Sequence, residues 1–152
     1  MEKGSRVVDF ELPDETGAHR RLSLLLARGP VVLFFYPVAM SRGCTMECGH
    51  FRDLAAEFAA LGSQPIGIST DSVDRQRQFA ERDSLGFPLL SDKEGIVAKQ
   101  FGVRRRLGPL PVKRWTFVID VDSQVLAVIR SETRMSLHAD LALAALRERS
   151  SH

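Results

Sequence analysis

Cysteine is scarce in this chain, at two among 152 residues, and tryptophan and tyrosine occur once each. Two cysteines make no disulfide framework. None is needed, because a chain of this length with 44% apolar residues can bury a substantial core unaided. Charge of one sign is also lacking: 21 basic against 19 acidic residues leave a net +2, which gives no general drive toward nucleic acid or an anionic membrane. The longest apolar run, "VVLFFYPVAM" from Val31, falls far short of the roughly 20 residues of a spanning helix. The opening "MEKGSRVVDFELPD" has no apolar h-region behind its charges. A soluble, cytosolic protein is expected, with neither nucleic acid nor membrane as partner. No repeat, low-complexity run or linker-like shift breaks the sequence, so residues 1–152 are read as one domain.

What is present alternates between strand and helix patterns. "VVDFELPD" followed by "ETGAHR" reads as a strand and a turn, with Gly17 giving the turn its freedom. "VVLFFYP", "PIGIST" and "RWTFVIDV" are β-rich runs without polar alternation, as expected of strands covered on both faces. "VLAVIRSE" follows the turn "VDSQ" as a hairpin partner. Cys48, Phe51, Leu54, Ala55, Phe58 and Leu61 recur at spacings of three and four and define one apolar helix face. Further helices are predicted at "SVDRQRQFAERDS", "KEGIVAKQFG" and "SLHADLALAALRER". This order implies an α/β protein with a mixed central sheet flanked by helices on both faces, of thioredoxin-like architecture.

Both cysteines lie in "PVAMSRGCTMECGHFR", Cys44 and Cys48 four residues apart. In a reducing cytosol such a pair points to catalysis, redox sensing or metal binding before structure. A strand ending at Tyr36 and Pro37, a short loop, and a helix opening between Ser41 and Thr45 put Cys44 in the first helical turn. Free amide N–H groups and the positive end of the helix dipole favour a thiolate at such a place. Arg42 adds positive charge, Ser41 suits the N-cap, and Gly43 allows close approach to a ligand. His50 reads as a helix-surface imidazole. The cluster Arg104–Arg106, with Lys113 and Arg114 beyond a Pro/Gly loop, reads as a solvated basic loop that an acidic partner could meet.

The segment "FFYPVAMSRGCT" resembles the active-site segment of the peroxiredoxins: a proline, three residues, Thr or Ser, two residues, then the peroxidatic cysteine. Pro37, Ser41 and Cys44 match it in turn. "CTMECGHFRDL", "GISTDS", "PLLSD" and "KRWTFVID" are similar to the bacterioferritin comigratory protein or peroxiredoxin Q subfamily. The likeness implies a peroxidase that needs no cofactor, acts as a monomer or weak homodimer, and uses thioredoxin or a similar dithiol as reductant. Its Cys44 thiolate would attack a hydroperoxide to give a sulfenic acid. Pro37 would shield the sulfur, Ser41 would hydrogen-bond the peroxide, and Arg114 would stabilise thiolate and leaving oxygen.

Cys48 departs from that pattern. The subfamily's resolving cysteine on this helix lies five residues beyond the peroxidatic one, where this chain has Gly49. At four residues Cys48 stays about 40° off the direction of Cys44, whereas five would turn it about 140° away. Bridging the two thiols still requires the helix to unwind, since i,i+4 Cβ atoms stand about 5–6 Å apart and a disulfide needs about 3.5–4.5 Å. Cys48 is therefore expected either to resolve Cys44 after local unwinding, helped by Gly49, or to be a buried thiol of a one-cysteine enzyme. Two other readings compete. The C-x-x-x-C spacing resembles Sco-type copper carriers, with His50 or His138 as a third ligand. A general thiol-disulfide oxidoreductase would instead use C-x-x-C, one residue shorter.

Overall fold

A computed structural model describes residues 1–151. Its centre is a five-stranded sheet built from β3 (Val31–Phe35), β4 (Gln64–Ser69), β5 (Leu89–Ser91), β6 (Trp115–Ile119) and β7 (Val125–Arg130). Their spatial order is β5-β4-β3-β6-β7, with β3 parallel to β4 and antiparallel to β6. Every residue of β3 is buried, because helices cover both faces of this central strand. Alternate side chains serve two cores. Val31, Leu33 and Phe35 join Leu22, Leu25, Phe101 and Phe117 on one face. Val32 and Phe34 join Tyr36, Cys44, Cys48, Phe51 and Phe58 on the other. The mixed sheet with helices on both faces matches the thioredoxin-like expectation.

Local departures have identifiable causes. The strand predicted over 7–14 shrinks to β1 (Glu11–Pro13), paired with β2 (His19–Arg21) in a separate two-stranded sheet. Val7 and Phe10 are spent instead on plugging the first core. Helix α1 (Leu22–Leu26) and β5 were not foreseen; five and three residues are too few for a period to declare itself. The helix expected to run to Leu61 breaks at Leu54, whose ψ of 13° interrupts the ladder between α2 (Arg42–Asp53) and α3 (Ala55–Ala60). Helix α4 (Val73–Asp83) is capped by Ser72, and α5 (Ile96–Gln100) starts only after Gly95, at φ 72°. Helix α6 (Met135–Ser150) packs against α2.

Topology fixes where a site can form. The C-terminal ends of the parallel strands β3 and β4 meet the N-terminal end of β6. The pairing Phe34↔Thr116, continued by two residues, brings Arg114 opposite Tyr36 and so beside the loop that leads into α2.

Candidate active site

The loop from Pro37 to Met40 turns directly from β3 into α2. It includes Met40 at φ 65°, a left-handed conformation uncommon for a residue with a side chain. The turn is held from below. Ala39 N–H donates to Asp71 Oδ2 at 2.7 Å, and Ser69 Oγ donates to the same oxygen at 2.7 Å. Gln76 donates to Ser69 Oγ at 2.9 Å and to the Leu90 carbonyl at 2.8 Å, while its own carbonyl oxygen accepts from the Tyr36 hydroxyl. This buried network ties the ends of β3, β4 and β5 to the loop before α2, and it explains "GISTDS" as more than a strand end.

Ser41 caps α2 as its sequence predicted. Its Oγ accepts from Cys44 N–H at 3.4 Å and donates to the Val38 carbonyl at 2.9 Å. Cys44 is the third residue of the helix and fully buried, and Pro37 is buried beside the loop. Arg114, just ahead of β6, is only 6% exposed, so it is no part of the solvated loop. Its Nη1 reaches Cys44 Sγ at 3.4 Å and donates to Glu47 Oε1 at 2.8 Å. The Arg114 backbone N–H is gripped by both Glu132 oxygens, at 3.0 and 3.2 Å, and Glu132 is held in turn by Arg105 at 2.8 Å. Over the first turn of α2 a side chain at position 43 would crowd the site: a Cβ there would lie 3.1 Å from Met135 Cε and 3.2 Å from Arg114 Nη2, so each would have to shift by a few tenths of an ångström.

Glu47 was missed at the level of sequence. It is fully buried, and burial pushes its carboxyl up to about 7 against the opposing pull of Arg114. Its Oε2 has no hydrogen-bond partner and lies 3.7 Å from His138 Nδ1. His138 is itself buried between Thr116 Oγ1 at 2.7 Å and the Ser131 carbonyl at 2.8 Å, and burial holds its pKa below the ordinary value. Since a carbonyl can only accept, Nε2 carries the hydrogen, and Nδ1 accepts from Thr116. The signal for Glu47 was a carboxylate three residues after Cys44 on a helix face otherwise turned inward.

Cys48 lies in the second core with Phe51 and Phe58, as its helical phase predicted. Burial, reinforced by the nearby Glu47 carboxylate and Cys44, pushes its thiol well above the ordinary value. His50 is a surface residue paired with Asp140 at 2.8 Å. Neither His50 nor His138 completes a thiol metal site, and among the described residues no cluster of three His, Cys, Asp or Glu side chains could hold a metal ion. No helix of the described residues is long and apolar enough to cross a membrane.

Comparison with known proteins identifies the family. Residues 4–128 match the model of the AhpC/TSA family. A Mycobacterium tuberculosis protein named as a peroxiredoxin is 62% identical over 149 residues, with 97% of each chain covered. Peroxiredoxin Bcp of Escherichia coli K12 is 34% identical over 153 residues, again with 97% of each covered. The crystal structure of the peroxidoxin BcpB from Mycobacterium tuberculosis superposes with a TM-score of 0.94 at 61% identity, covering 97% of both chains.

Proposed function

The chain belongs to the AhpC/TSA family, in its bacterioferritin comigratory protein and peroxiredoxin Q branch, and from that premise we propose which residues perform its thiol-dependent peroxidase reaction. Cys44 is the peroxidatic cysteine. Its thiolate attacks the distal oxygen of a hydroperoxide; the S–O bond forms as the O–O bond breaks, sulfur becomes a sulfenic acid, and the leaving oxygen departs as water or alcohol after taking a proton. The observation that carries this reading is the single guanidinium nitrogen, Arg114 Nη1, shared by Cys44 Sγ and Glu47. Arg114 offers preorganised positive charge to the thiolate and to the leaving oxygen in a site from which bulk water is excluded. Glu47 and Glu132 fix that arginine from its two ends. Ser41 Oγ, with one lone pair unused after capping, accepts from the peroxide hydroxyl, and Pro37 walls the sulfur from solvent.

Cys48 resolves the sulfenic acid once the first turns of α2 unwind, releasing water as the Cys44–Cys48 disulfide forms. In the folded helix it is held as a thiol by burial, so unwinding supplies both the approach and the ionisation that attack requires. Thioredoxin or a similar dithiol then reduces the bond. Mass spectrometry after one equivalent of hydrogen peroxide tests the scheme: monomeric protein should carry an intramolecular disulfide, and a Cys48→Ala variant should instead carry a sulfenic acid on Cys44. Stable sulfenic acid on the parent protein, without a disulfide, would assign Cys48 to packing and make the reductant act on Cys44 directly.

A further inference from the structure

The loop between α5 and β6 is the strongest charge feature outside the active site. Lys99, Arg104, Arg105, Arg106 and Lys113, with Gly102 and Leu107, line a concavity of about 900 Å³ that no carboxylate lines. The whole chain carries a net charge of only +2, so five cations around one hollow are a local concentration. Arg105 is engaged by Glu132, but among the described residues Lys99, Arg104, Arg106 and Lys113 have no acidic partner. The loop is pinned at its base by the Arg104↔Val112 bridge and by Arg105 N–H to the Pro111 carbonyl at 2.9 Å. Leu107 is 86% exposed, and Leu110 is also exposed, at 39%. Trp115, half-buried at the foot of the loop, lies under two cationic groups, Lys113 again and one more: Lys113 Nζ is 5.0 Å and the Arg130 guanidinium 4.5 Å from its ring centre.

We propose that this loop docks the enzyme on an anionic lipid surface, the unpaired cations meeting headgroup phosphates while Leu107 enters the acyl boundary. Charge alone would suit an acidic protein equally well. The lipid surface is favoured because the exposed leucine lines the same hollow as the cations and an amphipathic tryptophan lies at the loop's foot, the combination that binds a charged interface over an apolar interior. The proposal departs from the expectation of no membrane partner, which was drawn from total charge, because the charge is segregated. Docking also bears on the reaction, since Arg105 and Glu132 join the loop to the backbone of Arg114. Hydroperoxides of anionic phospholipids would thereby be collected at a surface connected to the active site.

Vesicle sedimentation tests this without turnover, and so independently of the role given to Cys44. The protein should sediment with phosphatidylcholine vesicles that contain phosphatidylglycerol and not with phosphatidylcholine alone, and added salt should release it. The double variant Arg104→Glu, Arg106→Glu should lose at least about a hundredfold in partitioning, and Leu107→Ser should weaken binding measurably. Both variants should keep the parent rate with hydrogen peroxide, which also reports that they fold. Failure to bind anionic vesicles, or binding that survives the charge reversal, would overturn the proposal. Leu107→Ser binding as tightly as the parent would overturn the insertion of the leucine and leave attraction by charge alone.

Discussion

Cys44 and Cys48 stand one turn apart on α2, and both are fully buried, yet their surroundings differ in kind. Around Cys44 are polar groups aimed at it: Ser41 Oγ on its amide and Arg114 Nη1 at its sulfur. Around Cys48 are Phe51 and Phe58, with a neighbouring carboxylate that opposes its ionisation. Burial therefore says nothing by itself about reactivity. Arg114 touches the first thiol, whereas at the second its pull is outweighed by burial and by Glu47; in the proposed scheme that difference separates the nucleophile from a thiol that waits for the helix to open.

The severest way to break the comparison is to remove the first thiol. Cys44→Ser should abolish rapid peroxide consumption in a stopped-flow assay, and near-normal turnover would transfer the nucleophile's role to Cys48. Next comes the charge that distinguishes the two sites. Arg114→Met should slow the reaction of Cys44 with peroxide by about 10²–10³ and slow its alkylation by iodoacetamide, with Cys48 remaining unlabelled. An unchanged rate would return Arg114 to a structural part. Third, Cys48→Ala should leave the single-turnover reaction intact and reduce thioredoxin-dependent turnover by about an order of magnitude.

The smallest effect concerns Glu47, which touches both environments. The folded chain holds its proton to about pH 7, whereas the unfolded chain releases it near 4.5. Its stabilising contribution is thus full below about 4.5 and is lost as the pH rises through about 7. Glu47→Gln removes that dependence. The variant's melting temperature, measured against the parent, should climb between these two pH values, and a constant difference would show that the carboxyl is ionised throughout.

Pro37, Ser41 and Cys44 were legible because their relation is local: a strand end, a loop and a helix start within eight residues of sequence. Arg114 was legible through the family resemblance of the strand it precedes, while its neighbours in sequence left a solvated basic loop as the rival reading; its side chain is buried against Cys44 and Glu47 instead. Glu47 could not be assigned because its partner is 67 positions away. The same holds for Asp71 beneath Ala39, 32 positions distant, and for His138 against Thr116, at 22. The short elements α1 and β5 escaped for a different reason, since their identity comes from the neighbours they pack on rather than from a period of their own.

By itself, the sequence determined the alternation of buried strands and amphipathic helices, the N-cap of α2, the position of one thiol in its first turn and the inward phase of the other. Each follows from spacings of two, three and four residues that act through local backbone geometry. Tertiary structure alone decided that Arg114 faces inward, that Glu47 and Glu132 grip it from either side, and that a network from Tyr36 to Asp71 supports the loop before α2. Those contacts join residues brought together by strand order. A buried polar group must find a partner wherever the fold places one, and no local pattern announces which partner that will be.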